Sequence, residues 1–166
     1  MKRRLPIAFS VLFLLCSSGF SEGKSQSPTA SDSLSAKLPD EPALLLGLSP
    51  AQTISRFGPP LKVYPVRGAE AWQDDVVFEY AEGFSFFLFM EHVWQIRITD
   101  KYKYPVFGFL PGSAAERITS MLGTSPRDFG DYYEWVLPSD AWPVRMRAIK
   151  DSKGIITDLY VYRADF

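Results

Sequence analysis

The chain has 166 residues, 46% of them hydrophobic, which is enough material for one folded domain behind a leader. Its formal net charge is −1, and it contains one histidine and one cysteine. A mildly acidic chain lacks the electrostatic footprint of a nucleic-acid-binding protein. With so few soft ligands, the composition also excludes a His/Cys zinc site and a disulfide framework.

Residues 1–21 have the anatomy of a secretory signal peptide. Lys2, Arg3 and Arg4 form a basic start, an apolar run covers 5–15, and small residues precede a cut after Ser21. The apolar run is shorter than the roughly 20 residues that a membrane-spanning helix needs. Cleavage would remove three basic residues and no acidic one, changing the net charge from −1 to −4. We therefore expect an exported protein, periplasmic or extracellular.

An alternative processing route starts from the single cysteine. Lipidation of Cys16 would make the protein a membrane-anchored lipoprotein, although Leu15 precedes it where lipoprotein signals favour a small residue. Residues 22–42 are rich in Ser, Lys, Pro and Asp and predict a disordered tether. The folded part is then 43–166.

Two short helices are predicted, and the glycines around each of them have the same spacing. Ser49 and Pro50 are a favourable N-cap and first helical residue, and Gly58 followed by two prolines ends the helix. The spacing of Gly47 and Gly58 recurs in Gly112 and Gly123, around a second helical segment.

Alternating segments that predict β-strands follow each helix. The first half contains DVVFEY, FSFFLFM and VWQIRIT, and the second DYYEWVL, PVRMRAIK and IITDLYVYR. LKVYPV predicts a further short strand, which Pro65 restricts to an edge. The predicted fold class is α+β: two tandem αβββ modules, 43–103 and 104–166, with antiparallel sheets and short helices packed on one face. A chance recurrence within one merged domain, 43–166, is the alternative.

The first half resembles a known envelope module. GLSPAQTISRFGPP and the strands after it are similar to the module of the SmpA/BamE outer-membrane assembly lipoproteins, and in general form to the tandem β-lactamase inhibitor proteins. The pattern is carried by Gly47, Ser49, Gly58, Pro60, Phe78, Tyr80, Gly83, Phe86, Val93 and Ile96. The resemblance implies helices on an antiparallel sheet and a role in binding proteins. The inhibitor proteins carry disulfides, which this chain lacks.

No constellation of residues predicts catalysis or a cofactor. His92, the single histidine, lies in a predicted turn, and Asp74 and Asp75 lack the spaced oxygen ligands of a calcium loop. Glu79 and Glu134 could pair as hydrolase carboxylates, but they are better explained as outward residues of alternating strands. We expect no catalytic residue, no metal and no cofactor.

Aromatic and arginine side chains on the strands are the candidate binding residues. Successive side chains of a strand project from opposite faces, so the rings of FSFFLFM form two sets. Only one of these sets can pack against a single helix layer. The second set is either covered by the other module or by KYKYPVFGF, or it is an exposed surface of the kind enriched at interfaces. The predicted surface comprises Phe87, Phe89, Arg97, Tyr132, Arg145, Arg147, Tyr160 and Tyr162.

These observations favour a non-enzymatic protein–protein interaction module of the cell envelope. A secreted inhibitor or effector that binds an extracellular enzyme is the alternative, and a hydrolase is a minor one. The expected partner is another envelope or extracellular protein. Membrane contact is expected only through a lipid at Cys16.

Overall fold

The structure, a computed structural model, describes residues 36–70 and 73–166. The predicted signal peptide, with Cys16, and the part of the predicted tether between 22 and 35 lie outside the described residues.

One eight-stranded antiparallel sheet forms the body of the domain. Its strands run side by side in the order β1-β2-β3-β4-β8-β7-β6-β5. Their bounds are β1 Lys62–Val66, β2 Asp75–Glu79, β3 Phe84–Phe89, β4 His92–Thr99, β5 Arg127–Asp128, β6 Tyr132–Leu137, β7 Val144–Lys150 and β8 Ile156–Arg163.

The two helices begin and end for different local reasons. Helix α1, Pro50–Phe57, has a capping box in which the side chains of Ser49 and Gln52 each accept a hydrogen bond from the other's backbone N–H. Gly58 ends α1 with φ of +77°, a region that favours glycine. Helix α2, Ala115–Leu122, has no side-chain cap. A short 3₁₀ helix, Pro42–Leu45, precedes α1.

The hydrophobic core lies on one face of the sheet. The ring of Phe57, at the end of α1, packs 5.8 Å from that of Phe84 and 5.1 Å from that of Phe86. Ile118 of α2 is fully buried in the same cluster. Strand residues from both halves of the chain share this core, among them Ile96, Trp135, Met146, Leu159 and Val161.

The prediction of two tandem αβββ modules is wrong. Strand β4 pairs with β8, with Arg97 opposite Tyr160, so the strands of both halves belong to one continuous sheet. Each half also contributes four strands to it, because the edge segments β1 and β5 join as well. A strand with an apolar face and a free edge gains ladder hydrogen bonds and buried area by pairing with another such strand. This pairing unites the two predicted modules in one sheet.

The end of the predicted tether belongs to the folded domain. Leu38 is 1% exposed, and its N–H donates to the hydroxyl of Tyr102 over 2.7 Å. The N–H of Phe107 donates to the carbonyl of Asp40 over 2.6 Å. The segment from Ala36 therefore packs onto the core together with the loop that follows β4.

The described residues contain no helix long and apolar enough to cross a membrane. They also contain no cluster of three or more His, Cys, Asp or Glu side chains arranged to hold a metal ion.

Candidate binding surface

The sheet face opposite the core carries all eight residues of the predicted surface. We call it the open face. Its side chains lie in rows across the strands: Phe87, Gln95, Tyr162 and Arg145 are successive partners in one row. Ser85, Arg97, Tyr160, Arg147 and Glu134 are successive partners in the next. Partners directly opposite one another in antiparallel strands project from the same face.

The open face is partly solvent-exposed. Phe87, Arg97, Tyr160 and Tyr162 are half-buried, and Arg145 is exposed. The KYKYPVFGF segment, one candidate cover, packs instead on the core, where Tyr102, Val106 and Phe109 are buried. Among the described residues of the open face, three are buried: Val77, which lies between Tyr64 and Phe87, and the polar residues Ser85 and Glu134.

Glu134 is the centre of a hydrogen-bonded cluster on this face. Its carboxylate accepts bonds from Arg145 Nη1 at 2.8 Å, from the hydroxyl of Tyr162 at 2.5 Å and from Arg147 Nη2 at 3.3 Å. Its side chain is only 7% exposed. Burial by itself raises the pKa of Glu134, but the bonds from Tyr162, Arg145 and Arg147 outweigh burial, and the pKa lies below its usual value.

Two aromatic rings hold Arg147 in place within this cluster. Its guanidinium lies 4.4 Å from the ring centroid of Tyr132 and 5.4 Å from that of Tyr162. Burial raises the pKa of the Tyr162 hydroxyl, and so does the hydrogen bond that it donates to Glu134. The cluster is therefore a fixed arrangement of two arginines and two tyrosines around one carboxylate.

A second arginine–tyrosine group lies beside it. Arg97 Nε donates to Asp158 Oδ1 over 2.7 Å, and the Arg97 guanidinium lies 5.9 Å from the ring centroid of Tyr160. A cleft of about 400 Å³ adjoins Arg97 and Asp158, and Glu79, Ser85 and Thr99 are among its lining residues.

Phe89 lies at the far end of the open face in an aromatic group of its own. Its ring centroid is 5.5 Å from that of Phe166, and Trp94 lies 6.0 Å from the same ring. Trp94 also donates its indole N–H to Asp75 over 3.0 Å. The predicted surface thus divides into the Glu134 cluster, the Arg97–Tyr160 group, the isolated ring of Phe87 and this aromatic end.

The candidate hydrolase residues do not converge. Glu79 and Glu134 lie in the same row but five strands apart, about 24 Å at a strand spacing of ~4.8 Å. Paired glycosidase carboxylates lie roughly 5–9.5 Å apart. His92 is exposed, with Nδ1 2.8 Å from the carbonyl oxygen of Met90. Glu79 instead pairs with Lys62 at 3.5 Å.

The sequence-based prediction missed two acidic members of the surface. The alternation predicts an outward position for Glu134 but no partner, and it assigns no role to Asp158. Both alternate with the tyrosines: Glu134 follows Tyr132 by two residues, and Asp158 precedes Tyr160 by two. The alternation therefore predicts that Glu134 and Asp158 lie on the same face as the tyrosines. Their arginine partners cannot be predicted in this way, because they depend on which strands pair.

Comparison with known proteins shows that this chain is similar in fold to a solved structure. No family model matches the sequence, and no curated protein matches it, so the resemblance to the SmpA/BamE module stays a prediction. An extracellular protein containing a SCP domain from Bacillus anthracis strain Ames is similar in structure, with a TM-score of 0.51 and 12% sequence identity. The match covers 87% of this chain and 50% of that protein, so the chain spans about half the length of its structural neighbour. At this identity the two are similar in fold alone.

Proposed function

We propose that this chain is an exported, non-enzymatic interaction module that binds another protein through the open face. Two observations support export: the signal-peptide anatomy of residues 1–21 and the extracellular nature of the structural neighbour. The scattered positions of Glu79, Glu134 and His92 favour binding over hydrolysis.

The observation that carries the proposal is the composition and rigidity of the open face. Tyrosine, phenylalanine and arginine are enriched at protein interfaces, where a few such residues contribute most of the binding free energy. Here Tyr162 and Arg147 are already fixed by Glu134, and Arg97 is fixed by Asp158. Side chains ordered before binding lose less conformational entropy when a partner arrives, which favours affinity.

Site-specific photo-cross-linking in the native envelope tests the proposal. A photoreactive amino acid replaces Tyr160, on the open face, or Met121, which is 51% exposed on helix α2. We expect a discrete cross-linked protein from position 160 and none from position 121. Equal cross-linking from both positions, or cross-linking from position 121 alone, would contradict the proposal.

The identity of the captured protein then separates the two kinds of interaction module. An envelope assembly component indicates a structural role, whereas an extracellular enzyme indicates an inhibitor. Adding Phe87→Ala to the position-160 protein should reduce the yield, because Phe87 supplies apolar area to the same surface.

A further inference from the structure

The Glu134 cluster has an unequal balance of charge. Two guanidinium groups, those of Arg145 and Arg147, contact one carboxylate. Elsewhere on the open face, Arg97 pairs with Asp158 and Lys62 pairs with Glu79. Glu134 therefore balances only one of these two charges, and Arg127, directly opposite Glu134 in β5, has no ion pair among the described residues.

Arg147 is the member of the cluster with a buried donor that has no partner in the described part of the chain, and both of its hydrogen bonds come from one nitrogen, Nη2. Arg145 contacts Glu134 at 2.8 Å, the usual length of a charge-assisted bond, whereas Arg147 lies 3.3 Å from Glu134 and 3.3 Å from the Tyr162 hydroxyl. A guanidinium has five N–H donors. The Nε donor of Arg147 is buried and has no hydrogen-bond partner among the described residues.

Arg147 is nevertheless held in one place and open to solvent. The rings of Tyr132 and Tyr162 flank its guanidinium, and its side chain is 38% exposed. The unpartnered Nε–H is buried, but the exposed part of the guanidinium is already held in place, so it can bind an added acceptor without losing much conformational entropy.

We propose that Arg147 binds a carboxylate side chain, aspartate or glutamate, of the protein partner. This inference rests on the proposed function of the open face and adds the chemistry of the partner. A carboxylate accepts charge-assisted bonds from a guanidinium and offsets the positive charge that Glu134 leaves unbalanced. Apolar neighbours, including Val136 at 71% exposed, suit the peptide around that side chain. A polyanion would need a broad basic surface, and Arg97, on the same face, is already paired with Asp158.

A random peptide library displayed on phage, selected on the immobilised protein, supplies the test. Selections are made in parallel on the native protein, on Arg147→Gln and on Arg117→Gln, an exposed arginine of helix α2. We expect peptides with a recurring Asp or Glu from the native protein and from Arg117→Gln. That preference should be absent with Arg147→Gln.

A double-mutant cycle on one selected peptide measures the contact directly. Replacing its recurring carboxylate by the amide should weaken binding to the native protein about tenfold or more, and binding to Arg147→Gln by less than twofold. Arg147→Lys keeps the charge but not the planar set of donors, so we expect an intermediate affinity. Thermal unfolding of each variant verifies its fold, and Arg147→Lys carries the test if Arg147→Gln does not fold.

The outcomes separate the inference from the function on which it rests. Peptides that lose binding with Phe87→Ala but show no acidic preference would overturn the Arg147 site and leave the open face as a binding surface. Peptides insensitive to both Phe87→Ala and Arg147→Gln, or a library that yields no binder, would overturn both. Tighter, Arg147-dependent binding of an anionic polysaccharide than of any peptide would also overturn the site as proposed.

Discussion

Phe86 and Phe87 are adjacent in β3 but lie in opposite environments. Phe86 is fully buried and packs 5.1 Å from Phe57, whereas Phe87 is half-buried on the open face. Truncating Phe86 to alanine should lower the free energy of unfolding by about 3–5 kcal/mol, as expected for a core phenylalanine.

The matched variant Phe87→Ala should cost less than half as much. It removes a half-exposed ring and uncovers part of Val77, but it leaves no closed cavity. Urea denaturation of both variants gives the comparison. Equal losses would mean that Phe87 is a core residue in solution and would weaken its assignment to a binding surface.

Glu134 should make stability depend on pH in the acidic range. Burial opposes its ionisation, but three hydrogen bonds outweigh burial, so its folded-state pKa is lower than its unfolded-state pKa. Its contribution to stability is fully present above the ordinary pKa of about 4.5, and it is lost as pH falls through the lower folded-state value. We therefore expect Glu134→Gln to flatten the decline of unfolding free energy below that pH.

The hydroxyl of Tyr162 gives a finer measurement of the same cluster. Tyr162→Phe removes a hydrogen bond that favours the ionised form, so the pKa of Glu134 should rise in this variant. Tyr160→Phe is the control, since the Tyr160 ring lies with Arg97 rather than Glu134. Carboxyl NMR titration measures the pKa in each protein, and an identical value in all three would contradict the hydrogen-bonded cluster.

At the scale of elements, the capping box is the local feature that begins helix α1. Ser49→Ala removes the oxygen that accepts the N–H of Gln52, and we expect a loss of about 1 kcal/mol in the free energy of unfolding. Ser120→Ala, an exposed position of α2, is the same substitution away from a cap and should be neutral or slightly stabilising. Thermal unfolding should therefore show a lower midpoint for Ser49→Ala than for the native protein, and no such decrease for Ser120→Ala.

Local sequence signals predicted the elements better than their assembly. Ser49, Pro50 and Gly58 lie at the ends of α1 because caps and glycine act within one helical turn. The alternation of Val144, Met146 and Ala148 with Arg145 and Arg147 likewise assigned β7 its two faces, and with them much of the candidate surface. The pairing of β4 with β8 has no local signal, because any two apolar strands with free edges satisfy the same period. The acidic partners of the arginines could not be assigned without that pairing.

At the scale of the whole molecule, the domain begins earlier than composition indicates. Leu38 and Leu45 are fully buried, although Leu38 lies in a segment rich in polar residues. A chain starting at Ala43 should be markedly less stable than one starting at Ala36, because it loses the Leu38 side chain and the bond to Tyr102. A core leucine contributes about 2–5 kcal/mol, which thermal unfolding of the two chains would resolve. Equal stability would show that the segment is dispensable.

The pairing of β4 with β8 also sets the order in which the domain can be completed. Arg97 and Tyr160 are neighbours across the sheet, although most of the second half of the chain separates them. Until β8 has been synthesised, β4 and β7 both present unpaired edges with apolar faces, a condition that favours aggregation. Joining such distant strands is also slow, since the loop entropy is lost before the contact forms. Export, as proposed here, would let β4 and β8 pair outside the cytoplasm, after synthesis of both strands, if the chain crosses the membrane unfolded.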